Sequence, residues 1–233
     1  MNEKKLPLWE HIEEIRQRII YVLIAWGILF FCILPFSPTI IHYISYYTGP
    51  LVFLAPQEAL IVRLKIAGAC AMVITFPFFI LQVWEFISPG LTLEERKAII
   101  PLALGSLFLF YTGLGAGFFL LFPPAIKFLL SMQTPSLQPM IRASYYLNLA
   151  VGFGLIVGIL FQIPIALLIL AKLGIVDTKK LVAQWRVAIL TLTIVSAIIT
   201  PTVDIVNLLL FLIPGILLYF LSIALIALSS KEP

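Results

Sequence analysis

The sequence predicts an all-α membrane protein whose six helices cross the bilayer. Of its 233 residues, 62% are hydrophobic and only 11% are charged, and the mean hydropathy is +1.12. A water-soluble domain of this length needs far more polar surface. Six long apolar runs, separated by short polar stretches that hold most of the charge, are typical of membrane-spanning helices. We therefore expect a single polytopic membrane domain over residues 1–233.

The predicted spans differ in length and in proline content. They cover residues 19–35, 64–87, 98–122, 144–173, 186–199 and 205–228. The second, fourth and sixth contain Pro77, Pro164 and Pro214. The fifth is short: from Val187 to Ile199 a helix covers only about 20 Å, against about 30 Å of hydrocarbon. Such a span thins the bilayer, is covered by neighbouring protein, or has polar flanks that snorkel, and the sequence leaves these interpretations open.

The distribution of Lys and Arg predicts that both termini are cytoplasmic. Of the fifteen Lys and Arg residues, all but four lie on the side that holds the termini, and cytoplasmic loops carry such an excess. The four on the outer side are Arg63, Lys65, Lys127 and Arg142. The two longer outer connections, 36–63 and 123–143, are rich in proline, which predicts caps of fixed shape.

The N-terminal stretch, residues 1–18, is predicted to form an amphipathic helix that leads into the first span. Its apolar stripe has helical spacing and consists of Leu8, Ile12, Ile15 and Ile19. His11, Glu14 and Arg18 form a second face. One interpretation is an interfacial anchor with an intrahelical Glu14–Arg18 ion pair. The other is that this polar face belongs to a binding site.

A second polar cluster, residues 88–97, lies between the second and third spans. Thr92 and Glu95 have the spacing of a capping box, which gives Glu95 a structural role. The alternative is that the Glu95 carboxylate is presented to a cationic ligand. Both roles are compatible only if the capping bond is weak or is exchanged on binding.

The span interiors hold no obvious carboxylate or cation, which argues against an ion-coupled pump. Gln162 is the most polar residue near a span centre, and a hydrogen bond across helices is its favoured role. We expect Asp204 to serve an Asx turn between the last two spans. The sequence has no metal-ligand spacing, phosphate loop or nucleophile beside a base, so we predict neither an enzyme nor a cofactor or metal.

Several ordered motifs resemble one family. The stretch from Glu10 to Arg18 is similar to that family's H-L-x-E-L-R-x-R, and residues 82–91 read Q-V-W-E-F-I-S-P-G-L, followed by E-R-K and Pro101. Phe122-Pro123, Phe-Gln-Ile-Pro at 161–164 and Thr200-Pro201 complete the match. On these residues the chain resembles the TatC family, the multi-spanning core subunits of the twin-arginine protein translocase.

The resemblance implies six helices in a curved, concave arrangement and a receptor and scaffold function in the prokaryotic cytoplasmic (inner) membrane. Members recognise signal peptides with paired arginines at the cytoplasmic face and assemble the machinery that exports folded proteins, using the proton-motive force and no nucleotide. Glu14 and Glu95 match the family's recognition carboxylates. Other positions near that surface match at His11, Arg16, Phe86, Leu91 and Arg96.

The resemblance also implies partners. These are twin-arginine signal peptides of folded cargo, single-span proteins of the TatA and TatB type, the lipid bilayer and a possible second copy of the chain, but no nucleic acid. Ile198, Ile199 and Thr200 are the predicted contact for a single-span partner. Family members commonly carry glutamate where this chain has Gln162, so a titratable role there is not expected.

Two other classes of function remain as alternatives. A small-solute or ion secondary transporter requires substrate binding inside the bundle and polar residues at mid-membrane, which are scarce in this sequence. A membrane-embedded enzyme requires paired catalytic groups at one depth, and no such pair is evident.

Overall fold

The computed structural model describes residues 8–45, 51–88, 99–134, 140–200 and 204–229, and nearly all of them are helical. A 3-10 turn (Leu34–Phe36) follows the first helix, and a π-helical segment (Ala116–Leu121) interrupts the third apolar run. The α-helices are α1 (Leu8–Ile33), α2 (Ser37–Ile44), α3 (Pro56–Ile87), α4 (Ile99–Gly115), α5 (Phe122–Ser131), α6 (Ala143–Leu160), α7 (Ile163–Lys172), α8 (Thr178–Ala183), α9 (Trp185–Ile199) and α10 (Ile205–Ser229).

The helices confirm the predicted all-α membrane class. Within the described ranges, five helical segments are long and apolar enough to cross a bilayer. These are α1 with α2, α3, α4 with α5, α6 with α7, and α10. The apolar helix α9 has only 15 residues and lies where the sequence predicts a short fifth span. The described part of the N-terminal stretch, from Leu8 onward, is continuous with the first apolar run in one helix, α1.

Helix ends differ from the predicted spans at prolines. Helix α3 begins at Pro56 rather than near residue 64, and α5 extends the third apolar run to Ser131 instead of ending at residue 122. Proline is well tolerated in the first turn of a helix, where its missing N–H has no intrahelical partner. The described parts of the two proline-rich connections that are predicted to lie outside are therefore largely helical. Val52 N donates to Ile141 O (3.1 Å) and Ala143 N to Val52 O (2.8 Å), which pairs the two connections.

The chain divides into two compact units, and the single-domain interpretation stays a prediction. The first unit comprises residues 1–46 and 54–107. Here α1 packs along α3, and the indole Nε1 of Trp26 donates to the Gly68 carbonyl at 3.0 Å. A Cβ at Gly68 would lie 3.5 Å from the Trp26 ring, which is an ordinary van der Waals distance.

The second unit comprises residues 47–53 and 108–233, and an aromatic cluster lies at its centre. Phe122, Phe153 and Phe211 are almost fully buried, with ring centroids 6.0 Å apart for the first pair and 4.6 Å for the second. Gly117, in the π segment, packs directly against the backbone of Phe153. Gly117 is therefore a point of close packing between the π segment and α6.

A short helix, α8, is fixed to the second unit by capping and burial. The Asp177 carboxylate accepts a hydrogen bond from Lys180 N at 2.6 Å, which caps the helix. Leu181 is buried against Tyr219, and the Tyr219 hydroxyl donates to the Leu181 carbonyl at 2.7 Å. These contacts hold the basic connection between α7 and α9 in one arrangement.

Candidate functional site

Polar side chains of α1 and α3 meet around the guanidinium of Arg18. Its Nε and Nη2 both donate to Glu14 Oε1, at 3.1 and 2.6 Å. Its Nη1 donates to Gln82 Oε1 at 3.1 Å and to Glu85 Oε2 at 2.8 Å. One guanidinium thus binds three side chains, two of them carboxylates, and we call this group the Arg18 cluster. It lies at the end of α1 that is predicted to be cytoplasmic.

Helical spacing explains how four side chains reach one point. Glu14 and Arg18 are four residues apart on α1, while Gln82 and Glu85 are three apart on α3, so each pair shares a helix face. The side chains of Arg18 and Glu14 are 17% and 25% exposed, whereas that of Glu85 is 66% exposed. The ion pair between Arg18 and Glu14 is therefore partly withdrawn from water, and Glu85 forms the outer edge of the cluster.

An apolar groove of about 410 Å³ runs beside the cluster, between α1 and α3. Ile15, Ile19, Val83 and Phe86 are among its walls, and Arg18 is the only charged residue among the described residues that line it. Phe86, predicted as a site residue from the sequence, is half-buried in this groove. The first unit therefore presents an apolar surface directly next to a guanidinium held by carboxylates.

The remaining predicted recognition residues are only partly described. Arg16 is exposed on α1, one residue away from the groove-lining Ile15. His11 belongs to α1, although its side chain lies outside the described part of the structure. The other predicted positions lie outside the described residues, together with the Thr92 capping box: Leu91, Glu95 and Arg96.

Gln162 lies in a two-residue break between α6 and α7. Its backbone N–H donates to Ile159 O and its carbonyl accepts from Ala166 N, both at 2.9 Å. Pro164 occupies the first turn of α7 and has no N–H to continue the bonding pattern of α6, so the fourth apolar run breaks here. The sequence analysis places Pro164 inside the fourth predicted span but does not predict that the helix is interrupted there.

The predicted partner contact lies at the end of α9. Ile198 is 77% exposed and Ile199 is also exposed, so both side chains point away from the described part of the second unit. The Thr200 side chain is buried instead, and its hydroxyl donates to the Ser196 carbonyl one turn earlier. The exposed face of α9 continues along the helix at helical spacing through Val187, Leu190 and Ile194.

Sequence reasoning found half of the Arg18 cluster. The predicted Glu14–Arg18 ion pair is confirmed. The contributions of Gln82 and Glu85 were missed, although both fall in the motif at residues 82–91 and share one helix face. The cluster can bind cationic groups through carboxylates, and the neighbouring groove can bind apolar groups. Among the described residues, no group of His, Cys, Asp and Glu is placed to hold a metal ion.

Comparison with known families identifies one match over most of the chain. The model of the family described as Sec-independent protein translocase protein (TatC) matches residues 10–214. The Sec-independent protein translocase protein TatC of Aquifex aeolicus is 35% identical, over 97% of this chain and 97% of the relative. TatCd of Bacillus subtilis is 32% identical, over 100% of this chain and 96% of that protein.

A solved structure also matches. A crystal structure described as the twin arginine translocase receptor TatC superposes with a TM-score of 0.83 at 32% sequence identity. The match covers 95% of this chain and 100% of the other. These similarities favour a translocase component over the solute-transporter and enzyme alternatives.

Proposed function

This chain belongs to the TatC family of Sec-independent protein translocase proteins, and from that premise we propose that it binds twin-arginine signal peptides. It is a multi-pass bacterial membrane protein of a protein-translocation complex and not an enzyme. In the proposal, its cytoplasmic face recognises the paired arginines of folded cargo proteins. The chain then serves as the scaffold on which export, driven by the proton-motive force, is assembled.

The Arg18 cluster is the observation that supports this proposal. Glu14 already binds a guanidinium at 2.6 Å in a partly withdrawn position, which is the chemistry that a ligand arginine requires. Arginine presents a planar fork that pairs with a carboxylate through two parallel hydrogen bonds, and lysine cannot reproduce this geometry. A carboxylate at this position is therefore suited to distinguish a ligand arginine from lysine.

Two carboxylates are proposed to take one arginine each. Glu14 contributes from α1, and Glu95 contributes from the connection between α3 and α4. His11, Arg16, Leu91 and Arg96 are proposed to line the same surface. The peptide would approach along the motif at residues 82–91, which carries Gln82, Glu85 and Phe86.

The typical free energies of ion pairs and of apolar burial indicate different roles for the carboxylates and for the groove. Exposed ion pairs contribute only about 0.2–1 kcal/mol each. Burying one large apolar side chain contributes about 1.5–3 kcal/mol. The apolar segment of a signal peptide, seated in the groove beside Phe86, would therefore supply most of the affinity. The carboxylates would supply the discrimination between arginine and lysine.

The test compares two peptides on purified protein in mild detergent. We expect a twin-arginine signal peptide to bind more tightly than its twin-lysine variant, and the difference to disappear in Glu14→Gln/Glu95→Gln. Because Glu95 also has the spacing of a capping box, Glu95→Ala separates the two roles. A binding role predicts a larger loss for the arginine peptide, whereas equal losses for both peptides would point to capping.

The exposed face of α9 is proposed to contact single-span partners of the TatA and TatB type through Ile198 and Ile199, next to Thr200. A 15-residue helix with an apolar exposed stripe is covered by lipid or by another helix. With Cys32 and Cys70 replaced, Ile198→Cys should form a disulfide with a cysteine in the partner's span. Phe31→Cys, on the exposed face of α1, is the control. Equal cross-linking at both positions would contradict the assignment.

A further inference from the structure

The Arg18 cluster poses a problem for any ligand arginine that is to use Glu14. The carboxylate that the proposed function assigns to the ligand already carries a guanidinium of the same chain. A second cation cannot simply be added, because like charges at contact distance are unfavourable. Binding that moves Arg18 away from Glu14 avoids this repulsion.

We propose that Arg18 is a resident guanidinium that occupies Glu14 in the empty receptor, and that a signal-peptide arginine replaces it there while Arg18 shifts onto Glu85 and Gln82. This inference rests on the proposed function, and it adds Arg18, Gln82 and Glu85 to the residues that determine specificity. Recognition is then an exchange of one arginine for another.

The geometry of the Glu14 contact favours exchange. Nε and Nη2 of Arg18 both donate to the same carboxylate oxygen, Oε1. An arginine and a carboxylate form their strongest pair when two parallel bonds reach both oxygens. Arg18 is tethered to the same helix four residues away and does not adopt this arrangement. A ligand arginine that arrives from outside the helix is not bound by that tether.

The contacts on α3 lower the free-energy cost of moving Arg18 away from Glu14. A partly buried charge that loses its partner is strongly destabilising. Arg18 already donates through Nη1 to Glu85 at 2.8 Å and to Gln82 at 3.1 Å, so it keeps a carboxylate when Glu14 changes partner. The Glu85 side chain is 66% exposed, which leaves it room to follow the guanidinium.

A ligand must displace Arg18 before it can bind Glu14. Every ligand that uses Glu14 must replace the two N–H donors of a charged, planar guanidinium. A ligand guanidinium does so, whereas an ammonium lacks the planar fork and an amide lacks the charge. Peptides without arginine would leave Arg18 in place and would bind through the apolar groove alone. Weakening the resident contact should therefore strengthen arginine peptides selectively.

The test measures affinities of the full chain in detergent for a twin-arginine signal peptide and for its twin-glutamine variant. Arg18→Lys keeps the charge but loses the fork, so we expect affinity for the arginine peptide to rise about two- to fivefold, as an exposed ion pair allows. Affinity for the glutamine peptide should not change. Unchanged or weaker binding of the arginine peptide by Arg18→Lys would overturn the exchange.

Glu85→Gln should change the affinity for the arginine peptide in the opposite direction to Arg18→Lys. The variant lacks the carboxylate that would receive Arg18, so we expect the arginine peptide to bind it several-fold more weakly than it binds Glu13→Gln. Glu13→Gln is the control, because it loses the same charge at an exposed position on α1. In an Arg18→Lys background the effect of Glu85→Gln should shrink, because the two residues act together. Equal effects of Glu85→Gln with and without Arg18 would contradict the proposal.

The outcomes separate this inference from the proposed function. If the wild-type chain does not distinguish twin-arginine from twin-lysine peptide, the recognition site itself is refuted, and the exchange with it. If the wild type distinguishes the two peptides but Arg18→Lys does not tighten arginine binding, only the exchange is refuted. Thermal unfolding of each variant shows whether a loss of affinity comes from a loss of fold.

Discussion

Replacing Gly117 by alanine should destabilise the second unit, because the site has no room for a Cβ atom. A Cβ built on Gly117 overlaps the Phe153 carbonyl oxygen and lies 2.9 Å from the carbonyl carbon. It also lies 3.0 Å from Val157 Cβ. Since the obstructing atoms belong to the α6 backbone, no rotation of a side chain relieves the overlap. The π segment and α6 must move apart.

Gly115 offers a matched control two residues earlier. A Cβ at Gly115 has no atom within 4 Å, so Gly115→Ala adds a methyl group without overlap. Both substitutions gain about 1 kcal/mol of helix propensity, and this gain cancels in the comparison. What remains is the overpacking term, about 1–3 kcal/mol. We expect Gly117→Ala to be less stable than Gly115→Ala by that amount.

Thermal unfolding in mild detergent, followed by circular dichroism, measures the difference. Gly113→Ala adds an intermediate case, because its Cβ would lie 2.6 Å from Cγ and 2.8 Å from Cβ and Cδ2 of Phe161. The ring can rotate away, whereas the Phe161 Cβ moves only with the backbone in the break between α6 and α7. The expected order of stability is Gly115→Ala, then Gly113→Ala, then Gly117→Ala. Equal stability of the Gly115 and Gly117 variants would refute the close approach of the π segment to α6.

Three further predictions follow from single contacts. Tyr219→Phe should lower the free energy of unfolding by about 1 kcal/mol, because its hydroxyl donates to the buried Leu181 carbonyl, whereas exposed Tyr43→Phe should have no effect. Asp204→Ala should cost about 0.5–2 kcal/mol in the same assay, since the carboxylate accepts at 2.7 Å from the first turn of α10, and Asp204→Asn should restore part of the loss. Phe86→Ala should weaken the binding of twin-arginine and twin-glutamine peptides by the same factor, because Phe86 contributes an apolar side chain to the groove. A selective loss of the arginine peptide would contradict that separation.

Local spacing explains what the sequence predicts well. The Glu14–Arg18 ion pair is one helical turn long, so it follows from residue identity and spacing alone. The expected Asx role of Asp204 is likewise local, and its carboxylate accepts from Asn207 N. The all-α class follows from the long apolar runs, because a segment that crosses the bilayer must satisfy its own backbone hydrogen bonds and an α-helix does so within one segment.

Contacts between distant segments explain what sequence reasoning missed. Gln82 and Glu85 reach Arg18 only because α1 packs along α3, and that packing includes a hydrogen bond from Trp26 to the Gly68 carbonyl. The π segment depends on the approach of Gly117 to α6, which no local pattern encodes. The predicted second span begins later than α3, which starts at Pro56, since proline permits a first helical turn as readily as it ends an earlier helix.

Cross-linking from a bound peptide tests recognition at the α1–α3 surface. A twin-arginine signal peptide would carry a photoreactive residue next to its arginines, and the cross-linked positions on the chain would be mapped by mass spectrometry. We expect cross-links within residues 8–19 and 82–97, which hold Glu14, Phe86 and Glu95, with a strong reduction for the twin-lysine peptide. Cross-links confined to the predicted outer connections, 36–63 and 123–143, would contradict recognition at the α1–α3 surface.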